Sequence, residues 1–100
     1  MPAASLRAET INRASVVMKA LGHPVRLRIV EALENNERTV KELQAMLNLP
    51  QAVISQQLAF LRRKSIVGFR RRGTYVYYSL TGDFPLMVLN CMRNCNWKDL

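Results

Sequence analysis

Two amphipathic stretches of this chain are separated by only three residues, 48–50, and this joint limits the possible folds more than any other feature. Before the joint, Thr39 followed by Glu42 predicts a capping box, in which each side chain satisfies an unpaired backbone amide at a helix start. Asn48 tolerates the left-handed conformation that ends a helix, and Pro50 favours the start of the next one. The sequence therefore predicts a tight helix-turn-helix unit.

The helix after the joint, about residues 51–64, has two unlike faces. Ile54, Leu58 and Leu61 follow helical spacing and are predicted to face the core. The opposite face carries amide, hydroxyl and small side chains with no charge before its last turn: Gln51, Ala52, Ser55, Gln56, Ala59 and Arg63. Because glutamine pairs with the edge of adenine and a methyl group can contact thymine, this face favours a helix that reads bases. An ordinary solvated surface is the alternative.

After Ser65 the apolar pattern changes from helical to extended. Two segments rich in β-branched and aromatic residues, 66–69 and 75–80, are separated by residues that can turn, 70–74. This pattern predicts a β-hairpin whose tip carries Arg70, Arg71 and Arg72. Next to a helix-turn-helix unit, such a hairpin is typical of a wing that contacts phosphates or the minor groove. The alternative to DNA contact is a structural role, in which these charges protect an edge strand from aggregation.

The charge distribution favours the same partner. Lys and Arg number 15 and Asp and Glu number 7, so the chain carries a formal charge of +8. Residues 43–82 contain no acid, yet they hold six clustered cations: Arg62, Arg63, Lys64, Arg70, Arg71 and Arg72. A patch of one sign on this scale indicates phosphate binding.

Length and composition exclude several classes of protein. One hundred residues correspond to one domain spanning 1–100, with about residues 1–5 disordered. No apolar run approaches the roughly 20 residues of a membrane-spanning helix, and no secretion signal is recognisable, so we expect a cytoplasmic protein. The only histidine, His23, is interpreted as a helix cap, and no set of nucleophile, base and orienting residue exists. An enzyme is therefore not expected.

The two terminal segments, about residues 6–21 and 84–96, are predicted to be amphipathic helices. Their apolar stripes exceed what one small core requires, which favours pairing with a second protomer. The stripe residues are Ala14, Val17, Met18 and Leu21 in the first helix, and Phe84, Val88, Cys91 and Cys95 in the last.

Cys91 and Cys95 are the only candidates for sensor chemistry. Four residues apart on a helix, their β-carbons are about 5–6 Å apart, too far for a disulfide without unwinding. The thiolates could together bind trivalent arsenic or another soft metal ion as an inducer. Packing as small apolar side chains, and sensing of oxidants or persulfides, remain the alternatives.

Three segments carry a family resemblance: ALGHPVRLRI at residues 20–29, LPQAVISQQL at 49–58 with LRR at 61–63, and RGTYVYYSL at 72–80. In this order and spacing they resemble the arsenic-repressor, or ArsR/SmtB-type, family of bacterial winged helix-turn-helix regulators. The resemblance implies a homodimer that binds an imperfect inverted repeat in double-stranded DNA at its own promoter. It also implies release from DNA when an inducer, often a metal or metalloid ion, binds.

Carried over by position, the resemblance assigns base contacts to Gln51, Ala52, Ser55 and Gln56, and wing contacts to Arg70, Arg71, Arg72 and Thr74. The chain departs from the family pattern in two places. Pro50 stands where many members have a serine cap, and residues 39–43 lack the Cys-x-Cys pair of metalloid sensors. The terminal-helix acid and histidine ligands of zinc sensors are missing as well.

These observations together predict a mainly α fold, with about five helices, a two-stranded wing and dimerisation through the terminal helices. The predicted function is that of a sequence-specific DNA-binding transcriptional regulator, most simply a repressor. The alternative from another class is a winged-helix protein-interaction module without DNA sequence specificity.

Overall fold

The computed structural model describes residues 5–99 and has five α-helices and one β-hairpin, which confirms the predicted fold class. The expected disorder of about residues 1–5 falls mainly on residues 1–4, which lie outside the described residues. The elements are α1 (Ala8–Leu21), α2 (Pro24–Ala32), α3 (Val40–Leu47), α4 (Gln51–Arg63), β1 (Val67–Arg72), β2 (Tyr75–Leu80), α5 (Phe84–Arg93) and a final 3-10 turn (Trp97–Asp99).

The starts of α2 and α3 are determined by local side chains. The Nδ1 atom of His23 accepts a hydrogen bond from the Val25 amide at 3.2 Å, so His23 is the N-cap of α2. Thr39 Oγ1 accepts from the Glu42 amide at 3.1 Å, and the Glu42 carboxylate accepts from the Thr39 amide at 2.8 Å. Asn48 ends α3 with φ 55° and ψ 49°. The predicted caps and the predicted turn are confirmed.

The core is formed by the buried faces of α1, α2, α3 and α4 together with Ile66 and Val67 at the start of the hairpin. Ile54, Leu58 and Leu61 are buried, as predicted from their helical spacing, and they pack with Ile29 and Leu43. Only one face of α4 is therefore used for folding, and its other face is left to solvent.

The hairpin turns later than the sequence indicated. β1 pairs with β2 in antiparallel register from Val67 opposite Leu80 to Arg72 opposite Tyr75, and Gly73 begins a two-residue turn at φ 63°. Glycine adopts this positive φ without strain, so strand pairing continues through the three arginines. The prediction that Arg70–Arg72 form the tip is wrong, because they belong to β1 and only Arg72 adjoins the turn.

A third backbone segment fixes the hairpin to the helices. Arg38 forms a β-bridge with Tyr78, in which the Arg38 amide donates to the Tyr78 carbonyl at 3.0 Å and the Tyr78 amide donates back at 2.8 Å. The Arg38 guanidinium also donates to the carbonyl of Ala32 at 3.2 Å, at the end of α2. The wing is thus tied to the core at its middle and extends freely towards Gly73.

The terminal helices are shorter than predicted. α1 begins at Ala8, and α5 ends at Arg93 instead of near residue 96, so Cys95 lies beyond the helix. The indole N–H of Trp97 donates to the carbonyl of Met92 at 2.9 Å, which satisfies the end of α5 without another helical turn. The four-residue helical spacing of the two thiols therefore does not apply.

The predicted apolar stripes are divided between the core and the surface. Val17 and Leu21 of α1 are buried in the protomer's own core, whereas Met18 is 54% exposed. In α5 the cysteine of the stripe, Cys91, is exposed, and so is Cys95 after the helix. The two thiols are therefore not packed inside this protomer, and packing against a second protomer stays a prediction beside sensing.

Candidate nucleic-acid interface

The outer face of α4 is an exposed surface without acidic groups. All six side chains predicted to lie there are exposed: Gln51, Ala52, Ser55, Gln56, Ala59 and Arg63. The buried residues on the opposite side of α4 anchor it against the core, so its orientation relative to the rest of the protein is determined by packing. The arrangement presents amide, hydroxyl and methyl groups on a rigid support, as base reading in a major groove requires.

One side chain of α4 is held differently. Gln57 is half-buried, and its Oε1 atom accepts a hydrogen bond from Arg26 Nε at 2.8 Å. Arg26 also donates to the carbonyl of Ala20 at 3.3 Å, and its guanidinium carbon lies 3.6 Å from the centre of the Phe60 ring. Arg26 thus joins α1, α2 and α4.

Arg26 was not among the functional residues predicted from the sequence, although its position at the start of a predicted helix is a usable signal. Arg26 lies in the first turn of α2, where the helix dipole disfavours a cation. A cation there indicates that other partners compensate, and Gln57 and Phe60 are those partners.

The joint before α4 is supported from α2. Arg28 Nη2 donates to the carbonyl of Leu47 at 2.9 Å, which satisfies the last turn of α3 next to Asn48. Pro50 is the N-cap of α4 and makes no side-chain capping hydrogen bond. The missing hydroxyl cap that the sequence indicated is therefore confirmed, and the first amides of α4 have no side-chain acceptor among residues 5–99.

The two faces of the wing carry different arginines. Side chains alternate along a strand, so Phe69 and Arg71 share one face while Arg70 and Arg72 share the other. On the first face, the guanidinium carbon of Arg62 from α4 lies 4.2 Å from the centre of the Phe69 ring, and that of Arg71 lies 5.6 Å from it. This face of the wing is therefore continuous with the C-terminal end of α4.

On the second face, Arg70 forms an ion pair with Glu37. Arg70 Nε donates to Glu37 Oε2 at 2.9 Å, and Nη2 is in close contact with Oε1. This hydrogen bonding holds the pKa of Glu37 below its usual range and raises the pKa of Arg70. The absence of acids from residues 43–82 suggested six uncompensated cations, and in Arg70 the structure shows one that is compensated from outside that range.

A second ion pair fastens α5 near the cysteines. Arg93 donates to the two carboxylate oxygens of Glu34 at 2.7 and 2.8 Å, and Glu31 lies 3.5 Å away. The bond from Arg93 holds the pKa of Glu34 below its usual range. Cys91 and Cys95 are free thiols on either side of Arg93 in the sequence. Within residues 5–99, no group of three His, Cys, Asp or Glu side chains is placed to hold a metal ion.

Comparison with known proteins decides the family. The family described as bacterial regulatory protein, arsR family, matches residues 23–67, from the cap of α2 to the start of β1. Over 92 residues the chain is 37% identical to the biofilm growth-associated repressor of Agrobacterium fabrum, an alignment that covers 92% of this chain and 76% of that protein. The chain belongs to the ArsR family.

Solved structures agree with this assignment. HlyU from Vibrio cholerae, which is named a transcriptional activator, superposes with a TM-score of 0.79 at 34% identity. The superposition covers 87% of this chain and 96% of the HlyU chain. The homodimeric winged helix-turn-helix DNA-binding domain of Mb0332 from Mycobacterium bovis superposes at 0.74, with 28% identity and coverage of 93% and 87%. The family resemblance and the winged helix-turn-helix fold are confirmed, and this ArsR-family protein is a transcriptional regulator. None of the helices in residues 5–99 has the length and hydropathy needed to cross a bilayer.

Proposed function

We propose that this ArsR-family protein is a homodimer that binds an inverted-repeat operator in double-stranded DNA at its own promoter and represses transcription by occluding it. The observation that carries the proposal is the exposed, acid-free face of α4, which continues directly into the arginine-bearing wing. The proposal takes residues 1–100 as one DNA-binding domain. Its place of action is the cytoplasm, and it requires no catalytic chemistry.

The α4 side chains divide by chemistry into two roles. The uncharged ones, Gln51, Ala52, Ser55 and Gln56, read base edges in the major groove. Arg63 in the last turn of α4 contacts backbone phosphate, which sets the register of the helix on the duplex.

The wing supplies the remaining backbone contacts. Arg71 near the end of β1, Arg72 beside the turn and Thr74 in the turn are exposed, and they contact phosphates or the minor groove. Arg70 joins them by exchanging the carboxylate of Glu37 for a phosphate, because both anions accept from the same guanidinium fork.

Dimerisation uses the exposed apolar side chains of the terminal helices. Ile11 and Met18 on α1 are 48% and 54% exposed, and Met87 on α5 is 63% exposed. Exposed apolar side chains of this size favour a protein interface, and a two-fold interface would cover the same side chains on both protomers. Mb0332, a structural neighbour, is homodimeric.

Nuclease footprinting of the region upstream of the gene tests this proposal. Two protected half-sites related by a dyad, about 34–36 Å apart or at a multiple of that distance, are expected for a two-fold dimer with one reading helix per protomer. Uniform, sequence-independent binding would instead favour the alternative function, a winged-helix module that uses its terminal helices to bind another protein.

A second part of the proposal concerns the inducer. Cys91 and Cys95 are both exposed, and Cys95 lies outside α5, so rotation of its thiol is not limited by helical spacing. Two thiolates and a third ligand from solvent or the partner would bind trivalent arsenic or another soft ion. Oxidation of the same thiols by an oxidant, or persulfide formation by a persulfide donor, would act at the C-terminal end of α5 and the residues that follow it.

Arsenite titration of the DNA complex separates these possibilities. Release from DNA in the wild type but not in Cys91→Ser supports metalloid sensing. Release by an oxidant or a persulfide donor alone supports redox sensing, and indifference to all three reagents excludes the thiols as a sensor.

A further inference from the structure

Phe69 is an aromatic ring that the wing leaves at its surface. It is 37% exposed, although the neighbouring residues Ile66 and Val67 are buried in the core. Its ring contacts Tyr78 at a centroid distance of 6.0 Å on the partner strand. The remainder of the ring faces two cations, Arg62 at 4.2 Å and Arg71 at 5.6 Å, both within the range of cation–π attraction.

Arg62 and Arg71 are not used in ion pairs within the protomer. The ion pairs among residues 5–99 involve Arg7, Arg70 and Arg93. Two guanidinium groups attracted to one ring carry like charges, and an anion bound next to both would offset those charges. The arrangement therefore fits a shared anionic ligand.

Stacking also leaves the correct atoms available. A guanidinium that lies over a ring uses its face for that contact, while the N–H groups at its edge remain free to donate. Those donors match the oxygens of a phosphate, which arginine binds in a bidentate manner. Phe69 thus limits the motion of two long side chains before any ligand arrives.

From this geometry we infer that Phe69, Arg62 and Arg71 form a phosphate clamp between α4 and the wing, with Phe69 as a positioning residue for the two arginines. The ligand is the sugar-phosphate backbone of duplex DNA, so the inference rests on the proposed DNA binding. Because Arg62 comes from α4 and Arg71 from β1, one clamp couples the placement of the reading helix to that of the wing.

The test compares Phe69→Leu with Phe69→Trp by fluorescence anisotropy on an operator duplex and a scrambled duplex. Leucine retains apolar bulk without a ring, and we expect it to weaken binding about fivefold to tenfold on both duplexes alike. Tryptophan retains a ring and should bind like the wild type. Tyr75→Leu is the matched control, since Tyr75 is an exposed ring of the wing and carries no cation–π contact among the described residues.

A double-mutant comparison separates positioning from general damage. In an Arg62→Gln/Arg71→Gln background the slope of log affinity against log salt should be smaller by about 1.8, since two phosphate contacts are lost. In that background Phe69→Leu should cause no further loss of affinity. A Phe69→Leu protein that binds like the wild type, or that loses as much affinity in the double-glutamine background, would overturn the clamp alone. Failure of the wild type to bind any duplex would overturn the clamp together with the proposed function.

Discussion

At the scale of single residues, the exposed side chains of α4 and the wing separate into uncharged ones, proposed to read bases, and cationic ones, proposed to contact phosphates. Gln56 has no carboxylate or arginine partner among the described residues and lies on the exposed face of α4. Gln57, the next residue, accepts a hydrogen bond from Arg26. Adjacent glutamines on one helix therefore serve different purposes, one free for a base and one used to hold the helix.

Gln56→Ala should cost about 1–3 kcal/mol of binding free energy at one base position, because one bidentate contact is lost there. The measurement is anisotropy on the operator and on duplexes with single base-pair changes. The variant should no longer distinguish bases at that position while it keeps its discrimination elsewhere. An equal loss on every duplex would show that Gln56 does not read a base.

Glu37→Gln should strengthen DNA binding. Removal of the carboxylate means that Arg70 no longer gives up an ion pair when it contacts a phosphate, so affinity should rise while the slope of log affinity against log salt stays the same. The change should appear equally on operator and scrambled duplexes. Weaker binding would mean that Glu37 holds Arg70 in its DNA-binding position instead of competing for it.

At the scale of elements, a few long-range contacts set how α4 is presented. Arg26 in α2 contacts Gln57 and Phe60 in α4, and it also holds the end of α1 through Ala20. The wing is held by the bridge between Arg38 and Tyr78 and also contacts α4 through Arg62 and Phe69.

Arg26→Gln should lower the free energy of unfolding by about 1–2 kcal/mol, because charge-assisted hydrogen bonds and the stack on Phe60 are lost together. Urea denaturation measures this directly, with Lys19→Gln as an exposed cation control on α1. In a Gln57→Ala background, Arg26→Gln should lower the free energy of unfolding by less, since the hydrogen bond between Arg26 and Gln57 is already absent. Fully additive losses would contradict the coupling between these two residues.

The elements that the sequence predicted well are those determined by neighbours in the chain. His23, Thr39, Glu42 and Asn48 cap or end helices through bonds to atoms a few residues away, so their effect is visible in sequence spacing. The predicted end of α5 was wrong because Trp97 folds back on Met92. Nothing in the periodicity of α5 indicates that contact.

In the candidate site, too, the features set by local sequence were predictable and those set by long-range contacts were not. The exposed and buried faces of α4 followed from helical period alone. The ion pair of Arg70 with Glu37 and the bond of Arg26 to Gln57 join residues 33 and 31 positions apart. A single sequence does not show which acid meets which arginine at such a separation. The contact of Arg62 with Phe69 joins α4 to β1 across a change of secondary structure, and neither helical nor strand periodicity indicates it.

At the scale of the whole molecule, one protomer combines a reading face with an exposed apolar surface on its terminal helices. The apolar residues Met18 and Met87 are exposed in the isolated chain. Two-fold pairing through this surface would present two α4 helices to one operator.

Met87→Glu should convert the proposed dimer to monomer, because a charge buried in an apolar interface has no partner there. Sedimentation equilibrium measures the assembly state. Met46→Glu is the matched control, since Met46 is 49% exposed on α3, outside the terminal helices. Dissociation by Met46→Glu and not by Met87→Glu would place the interface elsewhere on the protein.

The central claim is that this ArsR-family protein reads a specific DNA sequence. The most direct test is fluorescence anisotropy of the reduced wild-type protein with a labelled duplex from upstream of its gene, set against a scrambled duplex of the same composition. Binding to the upstream duplex should be about 10³-fold tighter or more, with affinity for both duplexes falling steeply as salt rises. Equal affinity for the two duplexes at every salt concentration would contradict it.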